Sequence, residues 1–140
     1  MPEEAMTPDL VERVRRGYAA SSASDFDAMM SLYAPDAVWD VSPLGLGVYE
    51  GSAAIRDFFE EWVGTFGEFQ MQPEEVLELG GGVTFAVVLQ RGRPAGSDGH
   101  VQWRFAAVTV WVGCTAVRTT NYTDIAEGRA AAERLAESGR

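Results

Sequence analysis

The clearest pattern of apolar and polar positions lies between residues 52 and 66. Apolar side chains recur there at positions i, i+3, i+4, i+7, i+8 and i+11, namely Ile55, Phe58, Phe59, Trp62, Val63 and Phe66. Ser52 precedes them as a predicted N-cap, and Arg56 and Glu60 fall four residues apart on the polar side, where they can pair. We therefore expect an amphipathic helix whose broad apolar face packs against the core.

The start of the chain predicts another helix. It begins near Thr7, which can cap it, with Pro8 in the first turn, where proline is favoured. An apolar stripe at helical spacing is formed by Leu10, Val11, Val14 and Tyr18. The opposite side, predicted to face solvent, carries Arg13, Arg15 and Arg16. This helix is expected to pack through its stripe.

A short second helix leads into the first strand. Ser24 is its predicted N-cap, with Asp27 as the acidic partner three residues later, and Pro35 is predicted to end it. Residues 36–41 then alternate as a strand. One face carries Ala37, Trp39 and Val41, and the other carries Asp36, Val38 and Asp40. Residues 42–51, rich in Gly, are expected to form a loop before the amphipathic helix.

The second half of the chain predicts four strands and a terminal helix. The strands cover residues 74–79, 83–93, 100–112 and 115–124. The helix covers residues 127–137, with Gly128 as an interruption and Asp124 as its cap. Short glycine-containing turns separate consecutive strands, so we expect them to pair antiparallel.

The middle strands are apolar on both of their alternating faces. Phe105, Ala107 and Thr109 alternate with Ala106 and Val108, so neither face suits water. The helices can cover one face. We expect a second copy of the chain to cover the other, which predicts a homodimer through the sheet.

Composition restricts the classes of function. The chain has 140 residues, 46% of them hydrophobic, which predicts one domain over residues 1–140 with its core at about 7–137. A net charge of −10 argues against binding to nucleic acid or an anionic membrane. The single Cys114 excludes an intramolecular disulfide, and the single His100 argues against a zinc site. The N-terminal residues lack signal-peptide features and no apolar run is long enough to span a bilayer, so we expect a cytoplasmic protein.

Four segments together carry a resemblance to a known family. In order along the chain they are SDFDAMMSLYAPDAVWD, YEGSAAIRDFFEEW, RFAAVTVW and VRTTNYTDIAEGRAAAERL. From about residue 10 to residue 135, the chain resembles the SnoaL-like polyketide cyclase family of the nuclear-transport-factor-2-like superfamily. The resemblance implies an α+β fold, a cone-shaped and strongly bent antiparallel sheet wrapped by three N-terminal helices, with a pocket on its concave side. It does not imply one activity, because the superfamily includes isomerases, cyclases, dehydratases, epoxide hydrolases and binding proteins.

Enzymes of this superfamily often use an acid to move protons next to a carbonyl group without a cofactor, so the resemblance implies no cofactor. We expect no metal either, because the chain has one Cys and one His. Asp40 is the candidate base, with Tyr18 or Asn121 polarising the substrate oxygen. Strand parity opposes this role, because Trp39 and Asp40 can both face the pocket only if the strand is bulged. The protonated acid of ketosteroid isomerase falls opposite Ala107, which cannot donate a hydrogen bond, so chemistry of that kind is not expected.

The pocket implied by the resemblance is apolar and aromatic. Its predicted wall residues are Tyr33, Trp39, Phe58, Trp62, Trp103, Phe105, Ala107, Thr109 and Thr119. Three functions remain open: a cofactor-free isomerase, cyclase or dehydratase acting on an apolar carbonyl compound, a dimeric binder of an apolar ligand, and an interaction module whose cone is filled by tryptophans. Arg104 is expected to pair with an acid or lie at the dimer surface, and His100 to lie at the protein surface.

Overall fold

A computed structural model describes residues 9–138 of the chain. The predicted cap Thr7 and the following Pro8 lie outside these residues, and the first described helix begins at Leu10 with Asp9 as its N-cap. In chain order the elements are α1 (Leu10–Ser22), α2 (Phe26–Met30), β1 (Tyr33–Asp40), a 3-10 helix (Ser42–Leu44), β2 (Val48–Glu50), α3 (Ser52–Gly64), β3 (Phe66–Gly80), β4 (Val83–Pro94), β5 (Val101–Val112), β6 (Thr115–Tyr122) and α4 (Ile125–Ser138).

The strands form one six-stranded sheet in the order β2-β1-β6-β5-β4-β3. β1 runs parallel to β6, and the other neighbouring pairs are antiparallel. The long strand β3 changes register with β4 at three places, and such bulges bend a sheet. Residues of α1, α2 and α3 pack with the concave side of the sheet into the larger core cluster. The predicted α+β plan, a bent sheet wrapped by three N-terminal helices, is confirmed.

The outer face of the sheet is covered in part by α4. Phe85 and Ala106 of the sheet pack with Ala132 and Ala136 of the helix in a second core cluster. This helix supplies some of the cover that the sequence had assigned wholly to a second chain, because a terminal helix of small residues can lie close against a sheet.

The terminal helix is longer than predicted and is continuous through Gly128. Asp124 Oδ1 accepts a hydrogen bond from the backbone N–H of Glu127 at 3.0 Å, which is the predicted cap. A Cβ at position 128 would lie 2.6 Å from the Cβ of Ala106, so glycine allows the helix to approach β5. Gly128 is a contact point with the sheet and not an interruption.

Two predicted caps are wrong by one residue. Asp25 caps α2, with its Oδ1 accepting from the N–H of Ala28 at 3.1 Å, whereas Ser24 adopts a φ of 58° before the cap. Ser52 is the first residue of α3 and not its cap. The N-cap position belongs to Gly51, whose φ of 93° favours glycine.

Three strand predictions are also wrong in extent. β1 runs through Pro35, which was predicted to end α2. Its register with β6 shifts between Tyr33 and Val38, an irregular place where a residue without an N–H is tolerated. β3 begins at Phe66 and not at residue 74, and β2 forms inside the predicted loop, where it pairs with β1.

Candidate functional site

The concave side of the sheet holds two adjoining cavities. The inner chamber, of about 50 Å³, lies between α1 and the sheet, and the outer chamber, of about 300 Å³, lies between α3 and the far ends of β4 and β5. Both chambers are lined by a shared set of residues, which we call the partition: Trp39, Phe59, Met71, Phe105 and Asn121.

Every predicted pocket residue lies in these walls. Tyr18, Tyr33, Ala107, Thr109 and Thr119 line the inner chamber, and Phe58, Trp62 and Trp103 line the outer chamber. Trp39, Phe105 and Asn121 belong to the partition. Their inward positions follow from strand alternation and from the apolar stripe of α3. Whether these residues bind or transform a ligand stays a prediction.

Aromatic rings form much of the outer chamber and its boundary. Trp39 stacks on Phe59 with 3.7 Å between ring centroids, and Trp62 meets Trp103 edge-to-face at 6.2 Å. Phe58 lies parallel to Trp62, with 6.0 Å between their centroids. The rings support one another around the space and leave a volume of about 300 Å³ between them. The tryptophans are therefore walls of the chamber, and they do not fill the cone.

Three buried polar atoms in these walls lack a hydrogen-bond partner among the described residues: Trp39 Nε1, Gln90 Nε2 and Asn121 Oδ1. Trp39, Gln90 and Asn121 are only 4%, 2% and 5% exposed, respectively. Most buried polar side-chain atoms in proteins are paired, since an unpaired one costs about 1–3 kcal/mol. All three residues line the outer chamber, and two of them belong to the partition.

The inner chamber contains a group of hydroxyls, some of which are paired. The Oγ1 atoms of Thr109 and Thr119 lie 3.0 Å apart, and Trp111 Nε1 donates to Thr84 Oγ1 at 2.9 Å. Burial raises the pKa of Tyr18 well above its usual value, and the nearby Tyr33 raises this pKa further. Burial also raises the pKa of Tyr33, although a hydrogen bond with Thr119 opposes the shift. Both phenols therefore stay neutral and can donate hydrogen bonds.

Asp40 is directed away from both chambers. The bulge in β1 comes before it and leaves Ala37 and Trp39 buried inward, with Val38 and Asp40 on the opposite face. Asp40 Oδ1 accepts from the backbone N–H of Ser42 at 3.0 Å, and its Oδ2 lies 3.0 Å from Arg118 Nη2. The hydrogen bond from the Ser42 hydroxyl is the main cause that lowers the pKa of Asp40. The ionised carboxylate of Asp40 therefore caps the turn at Ser42 and forms an ion pair with Arg118. It does not supply a base to either chamber.

The two other ionisable residues singled out from the sequence also lie outside the chambers. Arg104 pairs with Glu74, with Nη2 and Oε2 3.0 Å apart, on the outer face of the sheet. His100 is exposed and borders a separate surface groove with Arg91 and Glu68. The prediction that Arg104 pairs with an acid is thus confirmed, and so is the surface position of His100.

Among the wall residues that were not predicted from the sequence, Gln90, Met71 and Arg13 matter most for the chemistry of the chambers. Gln90 carried a signal, because it is a polar residue at the inward parity of Ala86 and Val88 in an apolar strand. Met71 was missed because β3 begins earlier than predicted. Arg13 was assigned to the solvent face of α1, whereas it lines the inner chamber.

Residues 9–138 contain no group of three or more His, Cys, Asp and Glu side chains arranged to hold a metal ion. Within the same range, no helix has the length and the apolar character required to cross a membrane.

A comparison of the sequence with family profiles identifies the family of the chain. The profile of the SnoaL-like domain matches residues 14–119, which include all the wall residues of both chambers except Arg13, Asn121 and Thr123. The chain belongs to the SnoaL-like domain family. The predicted resemblance is confirmed. No curated protein sequence matches this SnoaL-like chain.

Solved structures similar to this SnoaL-like chain share its fold. TerC, co-crystallised with polyporic acid, is 20% identical, with 91% of this chain and 97% of that chain covered at a TM-score of 0.70. An NTF2-like protein of unknown function from Burkholderia pseudomallei is 24% identical, with coverage of 89% and 98% and a TM-score of 0.71. An LEH-like epoxide hydrolase of M. tuberculosis is 14% identical, with coverage of 89% and 90% and a TM-score of 0.69. At these identities the likeness shows the nuclear-transport-factor-2-like fold and no particular activity.

Proposed function

We propose that this SnoaL-like chain binds an apolar small molecule with oxygen substituents in the outer chamber. The observation that carries the proposal is the set of unpaired buried atoms Trp39 Nε1, Gln90 Nε2 and Asn121 Oδ1. Two of these atoms are N–H donors and one is an amide oxygen, so a ligand carbonyl and a ligand hydroxyl would satisfy them. The aromatic walls would surround the rest of the molecule.

The size and chemistry of the chambers support a small ligand over a protein partner. Ligand sites in proteins are concave and mostly apolar, with a few converging polar groups, and the outer chamber matches this description. TerC, which shares the fold, was crystallised with polyporic acid. We assign this chain a ligand of the same broad kind, an apolar compound with polar substituents.

A thermal-shift screen of hydrophobic carbonyl compounds tests the proposal. A ligand should raise the melting temperature of the wild type, because a molecule that binds only the folded state stabilises it. Gln90→Met should lose most of this increase, since it removes a donor while keeping the volume. Gln102→Met is the matched control, because Gln102 is an exposed glutamine on the neighbouring strand β5 and should leave the increase unchanged. If Gln90→Met binds as well as wild type, the polar assignment is wrong.

A cofactor-free enzyme is the second candidate. The neutral phenols of Tyr18 and Tyr33 support it, because they can polarise a substrate carbonyl in a site shielded from water. Neither chamber has a carboxylate or an imidazole among its wall residues in the described part of the chain. Acid–base catalysis would therefore lack a base supplied by these residues. Binding without turnover is therefore our first choice. Turnover by wild type that Tyr18→Phe abolishes and Asp40→Asn preserves would reverse this order.

We also propose that the chain pairs with a second copy through the part of the outer sheet face that α4 leaves open. Val112, at the end of β5, is 68% exposed, and Arg104 and Arg118 lie on the same face by strand parity. Light scattering at micromolar concentration tests the pairing, and a monomeric mass contradicts it. The cytoplasmic location and the single domain stay predictions of the sequence.

A further inference from the structure

The first helix brings one charged side chain to the inner chamber. Arg13 lines this chamber together with Val14, Gly17, Tyr18 and Ser21. Residues three and four positions apart lie on one side of a helix, so this set forms a continuous lining stripe along α1. Arg13 stands at the N-terminal end of this stripe. The chamber therefore has a cationic residue in its wall.

No acid in the described part of the chain neutralises this charge. Arg13 is the one charged residue in the walls of either chamber within residues 9–138. No carboxylate in that range lies within 4.0 Å of its guanidinium, whereas Arg16 pairs with Glu12. Although the chain has 21 acids against 11 bases, the half-buried Arg13 has no acid partner within residues 9–138. Such a group gains most from an anion that replaces its lost hydration.

The other polar groups of the inner chamber can also serve an anion. Tyr18 and Tyr33 keep their protons because burial raises their pKa values, so their hydroxyls can donate to an oxyanion. Hydrogen bonds in which one partner is charged are shorter and stronger than neutral ones. A cation and two neutral phenols in one small chamber thus match a carboxylate better than they match a hydrocarbon.

The two chambers are also arranged end to end. Thr84 of β4 lines the inner chamber and Gln90 of the same strand lines the outer chamber, a separation of roughly 20 Å of extended strand. Met71 and Asn121 lie between them in the partition. Met71 is an unbranched side chain that adapts easily to a neighbouring group. A ligand that displaces the flexible Met71 side chain would reach from one chamber into the other.

We propose that the ligand is an apolar anion, with its carboxylate or enolate-type oxygen in the inner chamber and Arg13 as the counter-ion. Its apolar body lies in the outer chamber. This inference rests on the proposed binding function and adds to it the charge of the ligand and the direction in which the ligand lies. The acidic exterior of the protein repels anions in general, so the selectivity comes from the chamber itself.

Isothermal titration calorimetry and thermal shift with a matched pair of probes test the inference. The probes are biphenyl-4-carboxylate and its neutral analogue 4-acetylbiphenyl. Wild type should bind the carboxylate on the order of tenfold more tightly than the ketone, the usual value of a charge-assisted hydrogen bond. Arg13→Met should remove this preference and leave the affinity for the ketone within about twofold.

Two further variants separate charge from general damage to α1. Arg13→Lys keeps the cation and should retain part of the preference for the carboxylate. Arg15→Met, at an exposed position of the same helix, should bind both probes as wild type does. Equal affinity for the two probes, or a preference that survives Arg13→Met, overturns the anion site while ligand binding stands. Binding of neither probe by calorimetry or thermal shift contradicts both the proposed function and the anion site.

Discussion

The two faces of the sheet differ in whether their polar side chains have partners. On the outer face, Arg104 pairs with Glu74, and Arg118 pairs with Asp40. Part of the apolar surface of that face lies beneath α4. Both ion pairs form within one chain, so stability explains these polar residues of the outer face.

The concave face leaves polar groups unpaired at a cost in free energy. Trp39, Gln90 and Asn121 each bury an atom without a partner among the described residues, and Arg13 has no acid beside it in that range. Nothing in folding requires these residues, because apolar residues of similar size would avoid the cost. The position of a residue on the concave face does not by itself identify the site. The site is identified by buried polar atoms that have no hydrogen-bond partner among the described residues.

The largest expected effect comes from removing a large side chain of the second core cluster, between the sheet and α4. Phe85 is fully buried beneath α4, so Phe85→Ala should lower the free energy of unfolding by about 3–5 kcal/mol. Phe58→Ala, in the half-buried wall of the outer chamber, should cost less than half as much, because its ring already borders a space. Urea unfolding followed by circular dichroism measures both. Equal losses would mean that the concave face is packed as tightly as the outer face.

A second test compares the removal of a paired buried polar group with the removal of an unpaired one. Thr84→Val removes the acceptor of the Trp111 indole N–H, which leaves a buried donor alone and should cost about 1–3 kcal/mol of stability. Gln90→Met removes a donor that is already alone, so it should leave stability unchanged or raise it. Both are measured by urea unfolding without ligand. If Gln90→Met destabilises as much as Thr84→Val, the Gln90 amide is satisfied in solution and is not an unpaired group of the concave face.

A third test concerns the approach of α4 to the sheet. Gly128→Ala gains helix propensity but places a Cβ 2.6 Å from that of Ala106, so a net loss of about 1 kcal/mol is expected. Gly64→Ala, at the end of α3, has no atom within 4 Å of the new Cβ and should be neutral or slightly stabilising. Thermal unfolding shows whether each substitution raises or lowers the stability. Stabilisation by both variants would show that α4 does not pack closely on β5.

Much of this architecture was predictable because its causes are local. The stripe of α3 has a 3.6-residue period that no strand can share, and the glycine turns separate β4, β5 and β6 within about two residues of their observed limits. The inward positions of Trp39 and Thr109 followed from strand parity. These features depend on neighbouring residues in the chain.

The errors have causes that lie far away in the sequence. β3 begins at Phe66 because it pairs with the end of β4, at Pro94, and nothing in residues 66–73 announces that partner. Arg13 was placed outside because a charge on an amphipathic helix usually faces water. The unpaired state of Gln90 could not be predicted, since it depends on what surrounds the side chain in three dimensions.

The smallest expected effect concerns Asp40, and it tests the boundary between the two faces. Its pKa is lowered in the folded protein, chiefly by the Ser42 hydroxyl, so the ionised form stabilises the fold at pH values above the unfolded pKa of about 4. This contribution is lost as the pH falls through the lower, folded-state pKa. Asp40→Asn should therefore be less stable than wild type by under about 1 kcal/mol at pH 7. The gap should close below pH of about 4.

Urea unfolding of wild type and Asp40→Asn across this pH range gives the stability difference, and titration with a ligand from the screen gives the affinity. Affinity should be the same for both proteins, because Asp40 lies outside both chambers. A gap that persists unchanged to low pH would show that the carboxylate is not ionised in the fold. If Asp40→Asn keeps full stability but no longer binds or turns over a ligand, Asp40 belongs to the site. The assignment of Asp40 to the outer face would then be wrong.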